Sequence, residues 1–118
     1  MTTQEVRQKR LEILTWERDH RNLNNRAIDI MGDCVYSHKS NGGCAVGRLL
    51  SEELAEKISD LGQIEIVVDY LPPEIKELGV GFLEELQLLH DEISNWNDNG
   101  LSSKGMKDWE DLRRKWCV

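Results

Sequence analysis

Apolar residues recur along this chain at helical spacing in several stretches and gather into β-like runs in two others. Between Thr3 and Asn22, Val6, Ile13, Trp16 and His20 fall on one side at spacings of seven, three and four, and Leu11 and Leu14 widen it. Charged residues take most of the other positions, which predicts an amphipathic helix. The run Asn22-Leu23-Asn24-Asn25 breaks it, because asparagine favours caps and turns. Arg26 to Ile30 is compatible with a further helical turn or the approach to a strand. Cys34 to Ser37 reads as a short strand, and Asn41-Gly42-Gly43 as a turn.

From Cys44 to about Ser59 the pattern is helical again. Gly47 is unfavourable inside a helix by about 1 kcal/mol against alanine. It marks either close backbone packing or the end of one turn, with Ser51 capping the next. Gln63 to Asp69, with Ile64, Ile66, Val67 and Val68, has strand composition, and Leu71-Pro72-Pro73 stops it. A short helix is expected from Pro73 to Leu78, ended by Gly79 and Gly81. Phe82, Leu86, Leu89, Ile93 and Trp96 recur at four, three, four and three, which predicts a helix from Phe82 to about Asn97. Leu83 and His90 lie on one flank of that stripe, and Asp91 points nearly opposite. Asp98-Asn99-Gly100 is a turn. Ser102 or Ser103 then caps a last helix to Trp116, with Met106, Trp109, Leu112 and Trp116 as its apolar stripe and Arg113, Arg114 and Lys115 at its C-terminal end. The expected fold is a mainly helical α+β single domain over residues 1–118, with four to five helices and a small two- or three-stranded sheet.

Composition narrows the function classes. Hydrophobic residues make up 39% and charged residues 31% of 118 residues. No apolar run approaches the roughly 20 residues of a membrane span. The first residues, MTTQEVRQKRLEIL, are charged and lack the apolar core of a signal peptide. Three cysteines, an odd number in no secreted spacing, suit reduced thiols in a cytoplasm. Residues 1–48 hold 8 Lys/Arg against 6 Asp/Glu, whereas residues 49–118 hold 7 against 16. From Glu52 to Asp98 only Lys57 and Lys76 offset 13 acidic residues. Such a surface repels duplex nucleic acid and suits a basic protein partner, although acidic surfaces also serve solubility alone.

Four constellations could carry chemistry. Cys34, His38 and Cys44, with His90 or Cys117 as a fourth ligand, could hold zinc, but no paired C-x2-C knuckle is present and free cysteine is commonly a small buried hydrophobe. Cys44 at a helix start could be a thiol nucleophile with His90 as base, followed by Asp91. Against this, adjacent side chains on a helix diverge by about 100°. Gly43, Cys44 and Arg48 form a glycine turn before a helix, able to hold an anion on backbone amides, yet the segment is neither G-x-x-x-x-G-K-[ST] nor G-x-G-x-x-G. Finally, four tryptophans (Trp16, Trp96, Trp109 and Trp116) are many beside a single phenylalanine. Most fit helix stripes facing a core, and Trp116 near the chain end could anchor an interface.

Cys34-x-Tyr36, a glycine-containing loop and Cys44-Ala45-Val46-Gly47-Arg48-Leu49-Leu50 resemble the C-x-Y and C-A-I-G-x-L-I blocks of a family of small bacteriophage and prophage proteins that carry no assigned activity. Leu86-Gln87-Leu88-Leu89-His90-Asp91 is similar to the L-Q-x-x-H-D segment of the same family. The resemblance covers about Asp29 to Trp96. It departs at Ser37-His38-Lys39, where arginine and glycine are common. It puts Cys34, Tyr36, Cys44, Gly47, His90 and Asp91 forward together and implies a phage origin. By association it also implies an inhibitor of a host enzyme or defence system. The resulting expectation is a non-enzymatic protein without a cofactor, acting in the host cytoplasm by binding a host protein. Glu52, Glu53, Glu84, Glu85, Glu92 and Trp116 would make the contact. The alternatives are a metal- or thiol-dependent enzyme on Cys34, Cys44 and His90, and a binder of a small phosphorylated ligand at Gly43–Arg48.

Overall fold

The computed structural model describes residues 1–29, 35–59 and 67–118. Among them the chain forms a mainly helical α+β fold of five α-helices and one two-stranded antiparallel ribbon. Helix α1 spans Thr3–His20 and begins with a reciprocal cap, in which the Thr2 hydroxyl accepts from Glu5 N–H and the Glu5 carboxylate accepts from Thr2 N–H. Its buried side is Ile13, Leu14 and Glu17. Val6 and Trp16 are only half-buried and His20 is exposed, so the true core stripe is rotated from the one the spacing suggested.

The predicted strand at Cys34–Ser37 is not a strand where it is described. Val35 N–H donates to Ala27 and Cys44 N–H to Val35, which leaves an extended loop crossing. The predicted helix from Cys44 divides. A single 3-10 turn, Gly47–Leu49, precedes an extended Leu50, and Ser51 then caps α2, Glu52–Ile58, by accepting from Leu54 N–H. Close packing is the reason for glycine at 47. A Cβ there would lie 2.4 Å from the Tyr36 carbonyl oxygen and 2.7 Å from its Cα.

Residues 63–66 of the second predicted strand lie outside the described residues. Val68–Tyr70, in the part that is described, is a 3-10 turn with Val67 buried beneath it. Tertiary burial here overrides β composition. Helix α3, Pro73–Lys76, starts with proline at its first position.

Helix α4 spans Val80–Asp91, shorter than the apolar period suggested. Its last carbonyls are taken by side chains from three other places. Asn95 Nδ2 and Trp96 Nε1 donate to Leu89 at 3.2 and 3.0 Å, and Arg26 donates to Asp91 at 2.7 Å. These satisfy the orphan acceptors of a helix end, and the chain turns through a 3-10 segment, Ile93–Asn95, into the ribbon. Ile93, a predicted core residue, is 65% exposed as a result. Strand β1, Trp96–Asn97, pairs with β2, Gly100–Leu101, across the expected Asp98-Asn99 turn. Among the described residues the sheet therefore sits at a turn, outside the described parts of the segments whose composition suggested strands.

Helix α5 spans Ser103–Trp116 as expected, with the Ser102 hydroxyl accepting from Gly105 N–H. It packs on both α4 and α1. Gly105 lets it press on the preceding turn, since a Cβ would meet Asn95 O at 2.0 Å. Trp109 and Leu112 enter the core, whereas Met106 faces out.

Candidate functional site

Of the residues singled out by the two signature blocks, His90 and Asp91 border a buried polar centre, while Tyr36, Cys44 and Gly47 pack on one another. Glu17 and His90 are fully buried and face each other, with Glu17 Oε2 3.2 Å from His90 Nδ1. A carboxylate can only accept, so the imidazole hydrogen sits on Nδ1. The other carboxylate oxygen, Oε1, lies 3.7 Å from the Nε of both Arg21 and Arg48. Arg48 stacks over the Trp16 ring at 3.7 Å from its centroid, and burial pushes its guanidinium pKa down while Glu17 pulls it up. Arg21 donates to the carbonyls of Asn25, Asn41 and Gly43, tying α1 to the glycine turn. Gln87 closes the network by accepting from Val46 N–H and donating to Asp91 at 2.8 Å.

The arrangement explains why those residue types stand at those places. His90 takes Glu17 as its partner on Nδ1, and Asp91 Oδ1 lies 4.0 Å from His90 Nε2. Cys44 is fully buried and its Sγ accepts from Gly47 N–H at 3.4 Å. His38 donates to the Gly47 carbonyl at 2.8 Å. Tyr36 is buried beneath Gly47. Cys34 lies outside the described residues. Among those described, no three His, Cys, Asp or Glu side chains are grouped to hold a metal. The anion cradle considered at Gly43–Arg48 is occupied by the protein's own acceptors. The N–H groups of Cys44, Val46 and Arg48 donate to Val35 O, Gln87 Oε1 and Cys44 O. Within the ionic set the Glu17, Arg21 and His90 side chains are buried, whereas Arg48 keeps 19% of its side chain exposed.

Sequence reasoning missed Glu17, Arg21, Arg26 and Gln87. One signal was present. Ile13, Glu17 and Arg21 recur every four residues on the buried side of α1, so two charged groups continue an apolar stripe.

The solvent-facing candidate is a groove of about 380 Å³ between α4 and α5. Its apolar part is Leu88, Leu89 and Leu112, of which Leu88 is 68% exposed. Glu85, Glu92, Asp108 and Asp111 contribute acidic groups to its wall, and Lys104 and Lys115 basic ones. Two of the expected contact residues, Glu85 and Glu92, are therefore here. Glu84 is half-buried on α4, and Glu52 and Glu53 are exposed in the first turn of α2. Trp116 borders the groove through Glu85, to which its indole donates. It also packs edge-on against Phe82, 6.2 Å between centroids, and under the Arg10 guanidinium. Its ring is thus built into the flank of the core. Arg10 itself donates to the carbonyls of Leu78 and Trp116, holding the end of α5 to α1.

No helix among the described residues is long and apolar enough to cross a membrane. Compared with known families, curated proteins and solved structures, the chain matches no family model, no curated sequence and no solved structure.

Proposed function

We propose that this chain is a non-enzymatic, phage-type protein that acts by binding a host protein, as an inhibitor of a host enzyme or defence system. The observation that carries the reading is the α4–α5 groove, where an exposed leucine sits among carboxylates on the acidic part of the chain. The groove joins Leu88 to Leu89 and Leu112 inside a charged rim, and protein contacts carry an apolar centre within a polar rim. The enzyme alternative draws no support from the described residues, because Cys44 and His90 are buried and engaged with Gly47 and Glu17. The phosphorylated-ligand alternative meets amides already bonded within the protein.

Affinity capture from host lysate, repeated with Glu84, Glu85 and Glu92 each replaced by Gln, tests the reading. A specific partner retained by the native chain and released by these folded variants is the expected result. A partner held equally by all of them overturns the acidic-face version, and retention of no protein overturns the reading itself.

A further inference from the structure

We propose that the groove between α4 and α5 receives a basic amphipathic helix of the partner protein. The inference rests on the protein-binding reading above and gives it a place and a partner chemistry. The groove is walled by two helices of 12 and 14 residues. At 1.5 Å per residue the lining runs about 10 Å from Glu85 to Glu92 and about 16 Å from Lys104 to Lys115, room for about two turns of a third helix. On α4, Glu85 and Leu88 share a face three residues apart, and Glu92 follows just past the helix end; on α5, Lys104, Asp108, Asp111 and Lys115 recur at four, three and four.

Charge decides the occupant. Lys104 is held by Asn95 Oδ1 and Asp108 at 2.9 and 3.0 Å, and Lys115 by Glu85 at 3.0 Å. Both cations are thus answered from within the chain. Glu92 Oε1 accepts from Ser94 and its charge bears on Arg26, whereas the exposed Asp111 forms no ion pair among the described residues, so four carboxylates against two lysines leave the rim negative. An apolar stripe flanked by Lys or Arg complements that rim, in the helix-in-groove mode of recognition. Strand addition does not suit this face, since the ribbon has strands of only two residues. A second copy does not suit it either. The basic helix of this chain is α5, with five Lys/Arg against three Asp/Glu, and it is itself a wall of the groove with Trp109 and Leu112 buried in its own core.

The test uses the full chain and a peptide of about 18 residues, five turns, with leucines at helical spacing and lysines elsewhere. A peptide of the same composition with the leucine order scrambled controls for charge. Backbone amide shifts are followed during titration. The expected result is shifts confined to α4 and α5, with binding weakened at least about tenfold by scrambling, by Leu88→Glu and by Asp111→Lys, and unchanged by Glu52→Gln. Leu88 and Asp111 are exposed, so these variants keep the fold, which the dispersion of the same spectra verifies. Shifts centred elsewhere, equal binding of the scrambled peptide, or no binding overturns the groove proposal. A host partner that binds the native chain but ignores Leu88→Glu overturns the groove while leaving the protein-binding reading intact. Absence of any host partner overturns that reading instead.

Discussion

Glu17 is the side chain on which the interior depends most. It is fully buried, and His90, Arg21 and Arg48 all converge on its two oxygens. Removing one member of a buried ionic set strands the others, at about 3–5 kcal/mol. Glu17→Gln should therefore lower stability by about that amount in denaturant unfolding, while Glu52→Gln on the exposed start of α2 should stay within about 0.5 kcal/mol. Equal effects would show that Glu17 is not the hub. The thiols give a second residue-scale expectation. Cys44 is fully buried, and Cys117 is half-buried with burial pushing its pKa up against the pull of Arg10 and Arg113. Alkylation at mildly alkaline pH, mapped by mass, should modify Cys117 slowly and Cys44 only on unfolding. Rapid modification of Cys44 in the folded protein would reopen the nucleophile reading. The partner of His90 was not legible in the sequence. Sequence placed His90 beside Asp91, and only the fold brings Glu17 to it from 73 residues away.

At the scale of elements, local signals were legible and distant ones were not. Ser102, the helical period and the final basic residues define α5 to the residue. Ser51 likewise starts α2 at the point where Gly47 made a continuous helix doubtful. The apolar period of α4 continued past its true end because Ile93 and Trp96 happen to keep the spacing. The stop comes from Arg26, Asn95 and Trp96 taking its carbonyls, and Arg26 does so across 65 residues of sequence. Val67 to Asp69 went from predicted strand to helical turn because burial outweighs β preference. The α1 cap gives an element-scale test. The Thr2 amide holds the Glu5 carboxyl below its ordinary pKa. A depressed carboxyl contributes above its unfolded value, about 4.3, and that contribution is lost as pH falls through the folded value. Amide exchange in the first turn of α1 should therefore become less protected as pH falls through the acid range, after correction for intrinsic rates. Glu5→Gln should remove that dependence, and its survival in the variant would assign it to another group.

Across the whole molecule the charges fall into an inner and an outer set. Charges inside, around Glu17, join α1, α4 and the glycine turn, while charges outside gather on the acidic segment and rim the α4–α5 groove. The sequence showed the acidic bias plainly. It did not show the groove, which forms where α4 and α5 meet with Leu88 exposed beside it. On the proposed reading, this outer face binds a protein through charge around an apolar centre. The most direct measurement is the Kd of the captured host partner across a salt series, for the native chain and for Leu88→Glu. The account predicts affinity that falls steadily as salt screens the rim, and a loss of at least about tenfold in the variant at every salt concentration. Affinity indifferent both to salt and to Leu88→Glu would contradict it.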